Sequence, residues 1–195
     1  ISKDIKLLLS VLRCKKDLKR KEALNYIDPK RIFFDKIILK REVDQELINS
    51  LYKIKAIDLN KFTDPSYGNA RGSDYKLFED NEKVTKELEE DLISLTKKIV
   101  NSNVFFRDSF FTILGGESII NKHKHLGLID KFKPLNLWKQ KYSLVYYLST
   151  GDQDCDNPGI LKMYEPNEEI LPSKGMIIIF PANRAHSVKY NGKNQ

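Results

Sequence analysis

The first hundred residues carry apolar side chains at helical spacing in three segments. Residues 1–30, 43–57 and 81–101 each repeat apolar positions every three or four residues, which predicts a helix in each. The stripe of the second segment consists of Val43, Leu47, Leu51 and Ile54, and that of the third of Val84, Leu88, Leu92, Leu95 and Ile99. Residues 60–76 are dense in turn-forming residues, so we expect a loop there.

After residue 103 the pattern changes to short apolar runs separated by turn residues. Aromatic and β-branched residues dominate these runs, which is typical of β-strands. The predicted strands cover residues 109–114, 143–149, 160–164, 176–180 and 186–190. Because no helices alternate with them, the pattern favours an α+β fold, with an antiparallel jelly roll (a double-stranded β-helix) behind N-terminal supporting helices.

Composition indicates one globular domain and a short appendage. The chain has 195 residues, 41% hydrophobic and 31% charged, so we assign residues 31–195 to the domain. Residues 1–30 would be a helical segment that could be the tail of an upstream helical region. The chain opens on Ile1 rather than Met, so we expect a fragment of a longer product. No apolar stretch reaches the ~20 residues of a membrane span, which predicts no membrane partner.

The charge and the cysteines narrow the expected partners and location. The net charge of +7 comes from lysines spread along the chain, which does not favour nucleic acid as a partner. Cys14 and Cys155 are far apart and have no metal-site spacing, which agrees with a reducing, cytoplasmic location. The oligomeric state is not readable from the sequence.

The three histidines of the chain are the strongest candidates for chemistry. His123 and His125 are two positions apart, and on a strand this spacing places both rings on one face. His186 follows the buried strand predicted at 176–180 and a proline turn. We therefore predict a metal site at His123, His125 and His186, although three nitrogen ligands suit Fe, Zn, Cu or Ni alike.

From residue 104 onward the chain resembles the Fe(II)/2-oxoglutarate-dependent oxygenases, in particular their prolyl hydroxylase-like branch. The metal motif His-x-Asp/His, a Tyr-Tyr-Leu-Asn strand, a Gly-Gly-Ile-Leu-x-x-x-Pro strand and the approach to the distal histidine occur in that family's order. The matching segments are His123-Lys124-His125, Tyr146-Tyr147-Leu148-Ser149, Gly159-Ile160-Leu161-Lys162-Met163-Tyr164-Glu165-Pro166, and Lys174-Gly175 followed by an apolar strand and His186.

This resemblance implies a dioxygenase that hydroxylates its substrate. The three histidines would hold Fe(II), and Tyr147 would contact the distal carboxylate of the cosubstrate 2-oxoglutarate. The substrate is not readable from the sequence, and a peptide or protein side chain and a small metabolite are both open. Residues 67–75 and 126–140 would flank the mouth of the site.

Two departures from the family pattern keep alternatives open. The second ligand is His125, where a carboxylate is common, and Asp130 and Glu117 are nearby carboxylates that are candidates for that place. The family also has a basic residue, usually arginine, nine or ten positions past the distal histidine. This chain ends at Gln195, nine positions past His186, so we expect a truncated sequence. Lys189 and Lys193 are poor substitutes for that arginine.

These departures define two competing hypotheses. One is a cupin-like metalloenzyme with an all-histidine site and no use of 2-oxoglutarate. The other is a non-catalytic jelly-roll module that serves binding or structure.

Overall fold

The computed structural model describes residues 34–53, 69–79, 82–127, 130 and 140–192. The helix predicted over residues 1–30 lies outside this part of the chain. The helices are α1 (Gln45–Tyr52) and α2 (Lys83–Val100), with a 3-10 turn at Leu77–Glu79. The strands are β1 (Ile37–Lys40), β2 (Ala70–Gly72), β3 (Thr112–Leu114), β4 (Ser118–His123), β5 (Tyr142–Tyr146), β6 (Pro158–Met163), β7 (Glu168–Ile170), β8 (Met176–Pro181) and β9 (His186–Tyr190).

Both helices form where the apolar spacing predicts them. The Asp44 carboxylate caps α1 by accepting a hydrogen bond from the backbone N–H of Glu46 at 2.8 Å. Helix α2 ends at Asn101, whose left-handed backbone (φ 49°) stops the helix. Residues 54–57 of the first predicted helix lie outside the described residues, so its predicted end is not tested.

The strands form antiparallel sheets. One sheet has the order β1-β8-β5, a second has the order β4-β9-β6-β7, and β2 pairs with β3. The chain therefore combines mostly antiparallel sheets with two described α-helices, which confirms the predicted α+β class.

Strand β8 is the middle of the structure because both of its faces are buried. Ile177 and Ile179 pack in the cluster that contains the apolar residues of α1 and α2. Ile178 and Phe180 point the other way and pack against Leu161, Met163 and Ile170 of the second sheet. The result is three layers: helices, the β1-β8-β5 sheet, and the β4-β9-β6-β7 sheet.

Strand β5 alternates in the same way and has different partners on its two faces. Leu144 and Tyr146 pack on the helical side, whereas Val145 and Tyr147 pack on the side between the sheets. Alternation places Ser143 on the side of Val145 and Tyr147. The face of β5 between the sheets therefore carries two hydroxyl groups.

Gly175 joins strands at the start of β8. Its N–H donates to the Tyr147 carbonyl at 2.8 Å, and its carbonyl accepts from the Arg41 N–H at 2.8 Å. A Cβ here would come within 2.4 Å of the Arg41 carbonyl oxygen, and the backbone has φ +84°. Only glycine fits this position, which explains the Lys-Gly pair before the strand.

The described structure also contains elements that the sequence pattern did not predict. Residues 70–72 of the expected loop form β2. Strands β1 and β7 were not predicted, and β4 was expected only as the strand that carries the His-x-His pair. These strands have three to six residues and mix apolar with charged or polar side chains, so their pairing comes from neighbouring strands rather than local pattern. Among the described residues, no helix combines the length and apolar character needed to cross a bilayer.

Truncation of either buried face of β8 should destabilise the fold. Ile177→Ala and Ile178→Ala each remove a side chain that is 0% exposed, and each should lower the free energy of unfolding by about 2–5 kcal/mol. The control Ile38→Ala, at a β1 residue that is 44% exposed, should cost less than about 0.5 kcal/mol. Urea titrations give all three values, and an Ile178→Ala cost as small as the control's would contradict the inter-sheet core.

Candidate metal site

Strand pairing brings the first and the last histidine together. His123 is the last residue of β4, and His186 is the first residue of β9, its antiparallel neighbour. The two are register partners, and their ring centroids are 4.3 Å apart. Directly opposed residues of an antiparallel pair have side chains on the same face, so both rings point to the same side of the sheet.

His125 reaches the same place from outside the strand. The prediction had both residues of the pair on one strand, but β4 ends at His123, and His125 lies in the bend that follows. The His125 N–H donates to the Ala182 carbonyl at 3.0 Å, and the Ala182 N–H donates to the Lys141 carbonyl, also at 3.0 Å. These bonds fix the segment to the turn before β9 and to the start of β5.

The three rings form one compact group. Their candidate ligand atoms all lie within 4.8 Å of one another, and the Nε2 atoms of His125 and His186 are 3.2 Å apart. Metal–nitrogen bonds of about 2.1 Å place adjacent ligands about 3 Å apart, so this pair has the spacing of two ligands of one ion. A hydrogen bond between His125 and His186 would explain the short distance between these two rings, but not the position of the His123 ring beside them.

Backbone carbonyls set the tautomers of two rings. His123 Nδ1 lies 2.7 Å from the Asn121 carbonyl oxygen, and His186 Nδ1 lies 3.2 Å from that of Arg184. A carbonyl only accepts, so each Nδ1 carries the proton and each Nε2 keeps a lone pair. Metal-binding histidines in proteins are oriented by such hydrogen bonds.

The environment keeps two of the rings neutral. The pKa of His186 is lowered to about 4, chiefly by burial and to a smaller extent by His123 and His125, while the bond to the Arg184 carbonyl acts in the opposite direction. The pKa of His125 is also lowered to about 4, by desolvation at the ring and by His123, although the residue as a whole is exposed. Both rings are therefore neutral at pH 7, with one ring nitrogen free to bind a metal.

Neither candidate carboxylate joins this group. Within the described residues the group of possible ligands consists of the three histidines, without Asp130 or Glu117. Asp130 is 1% exposed; it forms an ion pair with Lys141 and accepts from the Gly127 N–H at 2.8 Å. Its role is to hold the segment that follows His125.

Arg184 supports the other side of the site, although it was not among the predicted site residues. Its buried guanidinium pairs with Asp35 at 2.7 Å and with Glu168 at 3.3 Å, and donates to the Pro166 carbonyl at 3.1 Å. These contacts fix the turn whose carbonyl orients His186. The sequence does contain a clue to this residue, since a single arginine stands in a turn that consists otherwise of small residues.

Tyr147 lies between the sheets, where it packs against the cluster that contains Ile178 and Phe180. Burial raises the pKa of Tyr147 to about 12, so the phenol keeps its proton. Its hydroxyl has no hydrogen-bond partner within the described part of the chain. Tyr146 points the opposite way, and its hydroxyl donates to the Glu42 carbonyl at 2.7 Å and accepts from Arg41 at 3.3 Å.

Several predicted parts of the site are not tested. Of the two segments that would flank the mouth, residues 67–68, 128–129 and 131–139 lie outside the described residues, as do Lys193 and Gln195. Lys189 is exposed on β9.

Comparison with known proteins shows similarity in fold. The chain is similar to the crystal structure of a prolyl-4-hydroxylase from Pseudomonas putida, with a TM-score of 0.58 and 14% sequence identity. The match covers 82% of this chain and 87% of that chain. No protein-family model matches the chain, and no curated protein matches it in sequence.

Substitution of Asp130 should weaken metal binding without removing the site. Asp130→Asn leaves Lys141 without its charge partner, so we expect a loss of about 1–3 kcal/mol of stability. Because His125 is then held less firmly, affinity for Co(II) or Zn(II) should fall about 10–100-fold at an unchanged stoichiometry of one ion. Calorimetric titration measures both quantities.

The exposed Glu117 provides the control. Glu117→Gln should leave affinity and stability unchanged, since Glu117 lies outside the histidine group. Complete loss of metal binding in a folded Asp130→Asn variant would instead identify Asp130 as a ligand.

Proposed function

We propose that this protein is a non-haem Fe(II)- and 2-oxoglutarate-dependent dioxygenase that hydroxylates a C–H bond of its substrate. The observation that carries the proposal is the convergence of His123, His125 and His186 on one point beside the inter-sheet core. The similarity in fold to a prolyl-4-hydroxylase supports the class of chemistry. We also propose that the two facing sheets form a jelly roll, which their antiparallel pairing supports.

The three neutral nitrogens suit Fe(II) because they leave coordination positions open. Bound iron would couple decarboxylation of 2-oxoglutarate to succinate with insertion of one oxygen atom of O2 into the substrate. The protein itself fixes the rings through their Nδ1 protons and keeps water out with the surrounding apolar core.

The face of β5 between the sheets suits a dicarboxylate. The Tyr147 phenol keeps its proton and has no hydrogen-bond partner among the described residues, so it can donate to a carboxylate. Val145 and its register partner Ile178 form an apolar stretch before it, which suits the two methylene groups of 2-oxoglutarate. We therefore assign the distal carboxylate to Tyr147.

One observation favours a second candidate function. The described metal group has His125 in place of a carboxylate, and an all-histidine site also suits a cupin-like metalloenzyme that does not use 2-oxoglutarate. The substrate of either enzyme stays open between a peptide side chain and a small metabolite.

Anaerobic binding of Fe(II) and 2-oxoglutarate should produce a visible charge-transfer band. His186→Ala should abolish the band, because it removes the buried one of the three ligands. Aerobic turnover with 2-oxoglutarate should release succinate from the unaltered protein and none from the variant. Metal binding without a band or succinate would favour the cupin-like enzyme, and absence of metal binding would favour a non-catalytic module.

The two adjacent tyrosines should separate cosubstrate binding from stability. Tyr147→Phe removes a hydroxyl that has no partner among the described residues, so the free energy of unfolding should stay equal or rise. The affinity for 2-oxoglutarate should fall about tenfold, because a hydrogen bond to a charged carboxylate contributes about 1.5 kcal/mol. Tyr146→Phe removes two made hydrogen bonds and should cost about 1 kcal/mol of stability with unchanged affinity.

Band titration and urea unfolding of both variants give the comparison. If the two substitutions exchange these effects, the assignment of Tyr147 to the cosubstrate is wrong.

A further inference from the structure

Ser143 on β5 has a buried hydroxyl that no described residue contacts through a hydrogen bond. The residue is 9% exposed, and its Oγ makes no hydrogen bond to any described residue. Burying a hydroxyl unpaired is costly, and native structures satisfy most such groups with protein, water or a ligand. This serine was not among the site residues predicted from the sequence.

The position of Ser143 points to the metal end of the site. It is the register partner of Phe180, whose ring lies edge-on to the His186 ring with centroids 4.9 Å apart. Tyr147 is on the same face of β5 but four residues further along, a distance of about 13 Å between backbones. The two unpaired hydroxyls therefore mark opposite ends of this face, with Val145 between them.

We propose that Ser143 binds the metal-chelating end of the cosubstrate, its Oγ–H donating to a carboxylate oxygen of the 2-oxo acid group. This inference rests on the proposed oxygenase function and adds a contact at the opposite end from Tyr147. A hydroxyl that can rotate and donate suits a carboxylate whose other oxygen binds iron.

A matched residue elsewhere in the fold separates this role from simple burial. Thr96 on α2 is also 9% exposed and its Oγ1 also has no partner among the described residues. Thr96 belongs to the helical layer, whereas Ser143 faces the second sheet. Thr96→Val is therefore the control for removal of an unpaired buried hydroxyl away from the histidines.

The experiment compares two acids by anaerobic titration of the Fe(II)-loaded protein, followed through the charge-transfer band. 2-Oxoglutarate has both ends, whereas pyruvate keeps the 2-oxo acid group and lacks the distal carboxylate. Ser143→Ala should raise the Kd of both acids by the same factor, about tenfold or more, because charged hydrogen bonds contribute about that much. Tyr147→Phe should raise the Kd of 2-oxoglutarate alone, and Thr96→Val should change neither.

Thermal unfolding without metal completes the test. Ser143→Ala and Thr96→Val should both leave Tm unchanged or raise it by a few degrees, since each removes an unpaired group. Ser143→Thr keeps a hydroxyl and should restore affinity. Where Ser143→Ala does not fold, Ser143→Cys replaces it, because the near-isosteric thiol is only a weak donor.

Each outcome supports or overturns the inference. An unchanged Kd for both acids in Ser143→Ala or Ser143→Cys would show that Ser143 does not bind the cosubstrate. A change for 2-oxoglutarate alone would show that Ser143 binds the distal carboxylate and not the 2-oxo acid group. A protein that gives a band and succinate yet shows either result refutes this inference and leaves the proposed function intact. Absence of any band in the unaltered protein refutes the proposed function itself.

Discussion

The antiparallel register between β4 and β9 is the constraint on which the candidate site depends. It sets His123 opposite His186, and a register shift between Ile120 and His123 separates this pair from the buried pair Ser118 and Tyr190 at the other end of the two strands. Because side chains alternate along a strand, a slip of one residue would replace His186 by Ser187 at the site. Ser187 instead makes a 2.9 Å hydrogen bond with Tyr164, which also favours the observed register.

Once the rings are close, electrostatics determines what they can bind. Burial and mutual proximity make protonation of His125 and His186 unfavourable, since each added proton would face the neighbouring rings. A metal ion meets no such competition from protons at neutral pH, and the Nδ1 hydrogen bonds of His123 and His186 already direct Nε2 lone pairs toward the group. The same packing that disfavours protonated imidazoles therefore suits a single shared cation.

Sequence pattern predicted the elements that have strong periodicity of their own. Helix α2 and strand β8 carry long apolar repeats, and both were found close to their predicted bounds. Short strands such as β1 and β7 acquire their structure from the partners they pair with, and no local signal reveals them. At the site, the three histidines were predictable as a group, whereas the position of His125 beyond the strand depends on a hydrogen bond to Ala182, which only the folded chain reveals.

Strand β5 divides stability and ligand binding between its two faces. On the helical side Tyr146 is fully bonded to Arg41 and Glu42, and Arg41 also pairs with Asp91 of α2, so that face ties the layers together. On the other side, the hydroxyl groups of Ser143 and Tyr147 are buried and have no hydrogen-bond partner in the part of the chain that the structure describes. Groups left unsatisfied at such cost concentrate where function requires them. One strand can serve both purposes because its side chains alternate between two independent faces. The unfavourable free energy of burying unpaired hydroxyls on one face is offset by the hydrogen bonds on the other face.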